Sequence, residues 1–164
     1  MNIERRKIVF DYLEKLGIDY NLTEHPALNT IEDTKEYWRL LPGAKCKNLF
    51  FRNNKGNKHF LLVLKGDKQV DIKALNKLLE QRLSFASDKR LDKYLGLTPG
   101  SVSAFGLIND INNEVLLLID KDALSKDYIN FHPNDNTATI SLKTEDFKRY
   151  LKEVGNSFSL IDLQ

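Results

Sequence analysis

The pattern of apolar and polar positions divides the chain into helices and strands. Apolar residues recur every three or four positions between residues 3 and 16, which predicts an amphipathic helix that ends near Gly17. Further helices are predicted where a side chain that can cap a helix N-terminus precedes another segment of this kind. Such capping residues are Thr30, Asp71, Ser87 and Thr144.

A period of two marks the strands. The first runs from Ile18 to Glu24 and stops at His25-Pro26. Residues 47–52 and 59–64 are apolar and flank a turn rich in Asn and Gly, which predicts a β-hairpin. Further short strands are predicted at 83–86, 115–119, 128–131 and 137–142. Because helices and strands are intermixed without a regular βαβ rhythm, the pattern favours an α+β fold.

Length and composition add the domain organisation. The 164 residues, 41% of them hydrophobic, fit one globular domain, and we interpret residues 1–164 as that domain. A single cysteine excludes an internal disulfide and indicates a reducing compartment. We see neither a signal peptide nor an apolar run long enough for a membrane helix, so we expect a soluble, cytoplasmic protein with no membrane partner.

Several enzyme classes are excluded by missing motifs. The chain has no G-x-S-x-G, no H-E-x-x-H, no Walker loop and no G-x-G-x-x-G. Its three histidines, at positions 25, 59 and 132, lie far apart and lack metal-ligand spacing. We therefore expect no metal and no cofactor.

Charge is unevenly distributed along the chain. The formal net charge is only +2, which argues against a protein that wraps duplex DNA, yet residues 45–82 contain ten basic and three acidic side chains. This segment either binds the phosphates of a single-stranded or tRNA-like nucleic acid, or is a solvated hairpin with aromatic residues in the core. Charge alone favours the solvated hairpin.

Four features offer candidate chemistry, and each also has a plain structural interpretation. Lys47 begins an apolar strand and either faces a phosphate or carbonyl oxygen or protects a strand edge. Gly96 and Gly100 bracket a loop that either brings backbone N–H groups to a ligand or only connects two elements. His132 either contacts a ligand or holds a turn, and Cys46 is either a reactive thiol or a small apolar residue.

A family resemblance rests on several of these segments taken in order. Lys47-Asn48-Leu49-Phe50, residues 95–103, Phe105-Gly106-Leu107 and residues 131–137 together resemble the YbaK/ProX family of aminoacyl-tRNA deacylases. The similarity covers nearly the whole chain and is greatest for the freestanding homologues of the prolyl-tRNA synthetase editing domain. It implies a mixed, mostly antiparallel, curved sheet flanked by helices.

The resemblance also implies roles for individual residues. Lys47 and Gly100 would be catalytic, Lys47 by contacting the 3′-terminal nucleotide and Gly100 by opening the family's G-x-x-x-P loop beside the ester. The implied substrate-binding residues are Asn48, Ser101, Val102, Ser103, Phe105, Gly106 and His132. This chain departs from the motif at Ala104, where the family has proline, and the departure bears on the geometry of the loop.

The function that the resemblance implies is trans-editing, the hydrolysis of Ala-tRNA(Pro). The implied partner is the acceptor end of mischarged tRNA(Pro), and the resemblance allows prolyl-tRNA synthetase as a second partner. An aminoacyl ester is already reactive, so positioning water and stabilising an oxyanion suffice, and we expect the substrate's own 2′-hydroxyl to help orient the water. Two alternatives remain open. One is deacylation of another mischarged tRNA such as Cys-tRNA(Pro), and the other is a non-catalytic module that senses aminoacyl-tRNA or an amino acid.

Overall fold

The helices lie where the sequence predicts them. The computed structural model describes residues 1–28 and 30–163, and these include α1 (Ile3–Lys15), α2 (Ile31–Trp38), α3 (Ile72–Leu79), α4 (Asp88–Leu95) and α5 (Thr144–Val154). The side chains of Thr30, Asp71 and Ser87 each accept a hydrogen bond from a backbone N–H in the first turn that follows, which confirms them as caps. Thr144 is different: its hydroxyl donates to the carbonyl of Lys126, so its predicted capping role is wrong.

The strands also match, with one addition. They are β1 (Tyr20–Glu24), β2 (Ala44–Asn53), β3 (His59–Lys65), β4 (Leu83–Phe85), β5 (Val115–Asp120), β6 (Tyr128–Phe131), β7 (Ala138–Lys143) and β8 (Phe158–Ile161). The sequence pattern does not predict β8, because the segment has only four residues and the alternation Phe158-Ser159-Leu160 breaks at Ile161; three of the four residues are exposed in the structure. Two 3₁₀ helices, Ala104–Asn109 and Lys121–Leu124, are likewise unpredicted.

One mixed sheet joins all eight strands. The order is β1-β7-β6-β2-β3-β5-β8, and β4 pairs with one end of β2. The pairs β1–β7, β6–β7, β2–β3 and β2–β4 are antiparallel, whereas β2–β6, β3–β5 and β5–β8 are parallel. The expected α+β class, with a mixed and mostly antiparallel sheet flanked by helices, is confirmed.

The central strands are buried on both faces. Alternate residues of β2 and β3 point to opposite sides of the sheet, so that Phe50 and Leu61 join one apolar cluster whereas Phe51 and Phe60 join another. The larger cluster includes residues of α1, α4 and α5, and the smaller cluster includes Leu75 of α3. Helices on both faces therefore hold β2 rigidly, and β2 carries the candidate site.

Candidate functional site

The site lies at a gap in the sheet beside β2. On one edge β2 pairs with β3 from Cys46 to Arg52, but on the other edge it pairs with β6 only at residues 44–45 and with β4 only at residues 51–53. A cleft of about 450 Å³ opens at this gap. Its lining includes residues 46–50 of β2, the ends of β4 and β6, and the loop that contains Gly100.

Lys47 lies half-buried in the wall of this cleft. Its ammonium donates a hydrogen bond of 2.7 Å to the backbone carbonyl of Lys68. An ammonium group carries three N–H donors, so two remain for an oxygen atom in the cleft. The bond to Lys68 therefore orients the cation without consuming its binding capacity, and this arrangement agrees with the interpretation of Lys47 as a ligand-facing residue.

Asn48 connects the strand to the loop of the family motif. Its Oδ1 accepts a hydrogen bond of 3.0 Å from the backbone N–H of Ala104. Proline has no N–H, so this contact exists only because the chain has alanine at the position where the family motif has proline. The departure from the motif thus supplies a hydrogen bond that ties the loop to β2.

The loop itself turns at Gly100. This glycine has a φ of 86°, a left-handed conformation that favours glycine, and it lines the cleft together with Val102. Ser101 is buried but is not among the residues that line the cleft, and its N–H donates to the carbonyl of Thr98. Ser103 is fully buried, and its hydroxyl donates to the carbonyl of His132, which joins the loop to the far wall.

Two residues of the motif point elsewhere. Phe105 has no exposed surface and packs edge-to-face on Tyr150 in the core. Gly106 is also buried, and a Cβ added there would lie 2.7 Å from a methyl carbon of Leu97. Neither lines the cleft, so in this structure both support the loop from behind, and their contact with substrate stays a prediction.

His132 and Asn136 lie in the wall of the cleft. Burial, reinforced by the nearby His25, lowers the pKa of the His132 imidazole to about 4, so the ring is neutral at pH 7. Among the described residues its Nδ1 atom has no hydrogen-bond partner, and neither has the buried Oδ1 of Asn136, which also lines the cleft. Both atoms are enclosed by protein, so the polar contacts of this wall are incomplete in the structure.

Cys46 also lines the cleft, but its chemistry is that of a buried apolar residue. Burial and the negative charge of Asp120 raise the pKa of its thiol well above the ordinary value. The protonated form is not a nucleophile. The interpretation as a small apolar residue is therefore the one that the structure favours.

Sequence reasoning missed several residues of the cleft. They include Leu28, Thr34, Trp38, Phe85 and Thr139. Phe85 carries the clearest signal, because it is an exposed aromatic residue at the end of a predicted strand. The others come from α2, β7 and the preceding loops, whose proximity to β2 is not visible in the sequence.

Only some of the basic side chains of residues 45–82 are free to bind a ligand. Five of its ten cations (Lys45, Lys47, Arg52, Lys65 and Lys68) bond to carbonyl or carboxylate oxygens of the protein. The other five (Lys55, Lys58, Lys73, Lys77 and Arg82) are exposed. With Lys47, which keeps two free donors, six of the ten cations are therefore available to a nucleic-acid ligand.

The described residues contain neither a grouped set of metal-ligand side chains nor a helix suited to a membrane. Over residues 1–28 and 30–163, no three His, Cys, Asp or Glu side chains are grouped so that they could hold a metal ion. None of the helices in that part of the chain combines the length and the apolar character needed to span a membrane.

Comparison with known proteins supports the resemblance. A family model described as an aminoacyl-tRNA editing domain matches residues 25–150. The prolyl-tRNA editing protein ProX of Acetoanaerobium sticklandii is 40% identical over 164 residues, which are 99% of this chain and 100% of that protein. The prolyl-tRNA synthetase associated domain-containing protein 1 of Mus musculus is 30% identical over 149 residues, 88% of each protein.

A solved structure agrees at the level of the fold. The crystal structure of a candidate trans-editing enzyme for prolyl-tRNA synthetase superposes with a TM-score of 0.74 at 19% identity, and the match covers 100% of both chains. A second crystal structure, of the hypothetical protein APE2540, gives a TM-score of 0.71 at 16% identity over 92% of this chain and 96% of that one.

Proposed function

The chain belongs to the family of aminoacyl-tRNA editing domains, and we propose that it hydrolyses the ester bond of Ala-tRNA(Pro), releasing alanine and free tRNA. The observation that carries this proposal is the cleft, which gathers Lys47, Asn48, Gly100, Val102 and His132 from three distant parts of the chain. Its volume lies in the range of small-molecule sites and has room for more than an amino acid.

The reaction needs few catalytic groups. A water oxygen bonds to the ester carbonyl carbon, the bond from that carbon to the ribose oxygen breaks, and a proton moves to the departing ribose oxygen. We propose that Lys47 and the N–H groups of the loop at Gly100 stabilise the negative charge on the carbonyl oxygen. The substrate's 2′-hydroxyl orients the water before it bonds to the carbonyl carbon.

His132 fits a binding role better than that of a general base. An imidazole with a pKa of about 4 is neutral at pH 7 but too weakly basic to take a proton from water efficiently. Its side chain lines the cleft together with Asn136, and we place the aminoacyl group near these two residues. Selection would be steric, because a pocket that fits alanine excludes the larger proline ring.

We extend the proposal to the chain as one editing domain over residues 1–164. Val9 and Leu13 of α1 belong to the larger core cluster, and Ile161 of β8 belongs to the smaller one, so segments outside residues 25–150 pack into the same body. Asn29 and Gln164 lie outside the described residues. The proposed partners are the acceptor end of mischarged tRNA(Pro) and prolyl-tRNA synthetase.

A panel of labelled aminoacyl-tRNAs tests the function. Purified protein is incubated with Ala-, Cys-, Ser- and Pro-tRNA(Pro), and release of each amino acid is followed. We expect release of alanine and retention of proline. Release of cysteine or serine instead would replace the proposed substrate, and binding without any release would favour a sensing module.

Lys47→Ala tests the proposed role of the lysine. We expect a loss of deacylation of roughly 10²- to 10³-fold, because one donor to the oxyanion is removed. Lys65→Ala is the matched control: Lys65 lies on the adjacent strand, pairs with the exposed Asp67 and does not line the cleft. Unchanged turnover by the Lys47 variant, or an equal loss in both variants, would contradict the assignment.

A further inference from the structure

Phe85 stands out at the rim of the cleft. It is 54% exposed and, among the described residues, it is the one exposed large apolar side chain that lines this cleft. One side of its ring is covered by the buried Phe51, at a centroid distance of 4.7 Å and an interplanar angle of 30°. The remainder of the ring is open, so an aromatic surface is presented from a rigid support.

The sheet aligns this ring with the candidate lysine. Lys47, Leu49 and Phe51 point to the same side of β2, and Phe85 lies directly opposite Phe51 in the register. Phe51 is four positions beyond Lys47 on the strand, which is about 13 Å along the backbone at the rise of a β-strand. Leu49 lies between them and also lines the cleft. The wall therefore has a cation at one end, an apolar middle and an open aromatic ring at the other end.

This wall matches the 3′ end of an RNA. The bases of a tRNA 3′ end are unpaired, and proteins bind unpaired bases by stacking them on aromatic side chains beside cations. Arg82 and Lys89, which flank β4 in the chain, are both exposed. Trp38 is a poorer candidate because the edge of its ring is packed against Gly66, where an added Cβ would lie 2.7 Å from two ring carbons.

We propose that Phe85 is a stacking residue for the 3′-terminal base of the tRNA substrate. The proposal rests on the proposed function, since it assumes that an aminoacylated RNA end enters the cleft. With Lys47 at the ester and Phe85 at the base, the two residues hold opposite ends of one terminal nucleotide. The strand between them sets the distance from the base to the reacting bond.

Four variants separate stacking from packing. Phe85→Tyr and Phe85→Trp keep an aromatic face, Phe85→Leu keeps apolar cover for Phe51, and Phe158→Leu changes a comparably exposed phenylalanine on β8, away from the cleft. We expect kcat/KM for Ala-tRNA(Pro) to fall roughly 5- to 150-fold in Phe85→Leu. The other three variants should stay within about threefold of the unchanged protein, which is below the effect of a lost stack.

A binding readout keeps the proposal independent of catalysis. An acceptor-stem hairpin with 2-aminopurine as its 3′-terminal base is titrated with each variant, and stacking is detected as quenching of the base's fluorescence. We expect quenching by the unchanged protein and by the Tyr and Trp variants, but not by Phe85→Leu. In deacylation, a substrate without its 3′-terminal base should be insensitive to Phe85→Leu.

The outcomes distinguish the two proposals. Equal kcat/KM and equal quenching in Phe85→Leu and the unchanged protein would overturn the stacking role, as would a loss that persists with the substrate lacking the terminal base. Absence of quenching by the unchanged protein would overturn it too. Quenching without release of any amino acid would refute the proposed function and leave the stacking role supported.

Discussion

Replacing Ala104 by proline tests how this chain holds its loop. In the structure the Ala104 N–H donates to Asn48 Oδ1 at 3.0 Å, and Ala104→Pro removes that donor. The backbone accepts the change, because Ala104 is the first residue of a 3₁₀ helix and Ser103 before it is extended, at φ −150° and ψ 149°. The proline Cδ takes the place of the donated hydrogen, so the Asn48 side chain must also move away, and the loss of its contact with residue 104 is the consequence that we measure.

The magnitude follows from burial. Ala104 has no exposed surface, so Asn48→Ala leaves a buried N–H without a partner, which costs about 1–3 kcal/mol in the free energy of unfolding. In the Ala104→Pro background there is no N–H to leave unpaired, and the same Asn48→Ala should cost less than about 0.5 kcal/mol. The two substitutions are thus expected to be coupled by about 0.5 kcal/mol or more.

The assay is denaturant unfolding of the unchanged protein, the two single variants and the double variant. Ala104→Gly is the matched control, because it alters residue 104 but keeps the N–H; Asn48→Ala should cost as much in that background as in the unchanged protein. If Asn48→Ala costs the same in the proline background, within about 0.3 kcal/mol, the hydrogen bond does not hold the loop and the reasoning is refuted.

Three further predictions concern buried groups. Burial lowers the pKa of both His59 and His132 to about 4, below the value of an unfolded histidine. The free energy of unfolding should therefore be highest above pH 6.5 and fall as the pH drops towards 4. Urea titrations at pH 7 and pH 5 measure this difference, and equal free energies of unfolding would contradict it. Lys68→Met should destabilise the fold by about 3 kcal/mol, because it leaves the fully buried Asp120 carboxylate without its cation. Thermal unfolding measures the lost stability, and a change below about 0.5 kcal/mol would argue against the ion pair. Cys46 lies partly exposed in the cleft wall, but its thiol has a raised pKa and should react slowly with iodoacetamide at pH 8 until the protein is unfolded. Rapid labelling of the native state, followed by mass spectrometry, would show that the thiol ionises there.

Local features of this chain could be predicted from its sequence because they depend on neighbouring residues. The caps at Asp71 and Ser87 bond to N–H groups three residues ahead, and the hairpin of β2 and β3 is joined by a five-residue turn. The prediction fails at Thr144, whose hydroxyl bonds to Lys126, 18 residues earlier in the chain. It also fails at β8, where a mostly exposed strand of four residues pairs with β5 across the fold.

The sequence by itself determined which residues carry the family motifs, the helices and most of the strands, since periodicity and capping act over a few positions. Only the tertiary structure decided which motif residues meet. Parallel pairing of β2 with β6 is limited to residues 44–45, and this leaves the gap whose lining includes both Lys47 and His132, which are 85 positions apart. The 3₁₀ helix turns Phe105 into the core, and the register of β4 brings Phe85 to the rim. These placements depend on long-range packing and strand register, which the pattern along the chain does not encode.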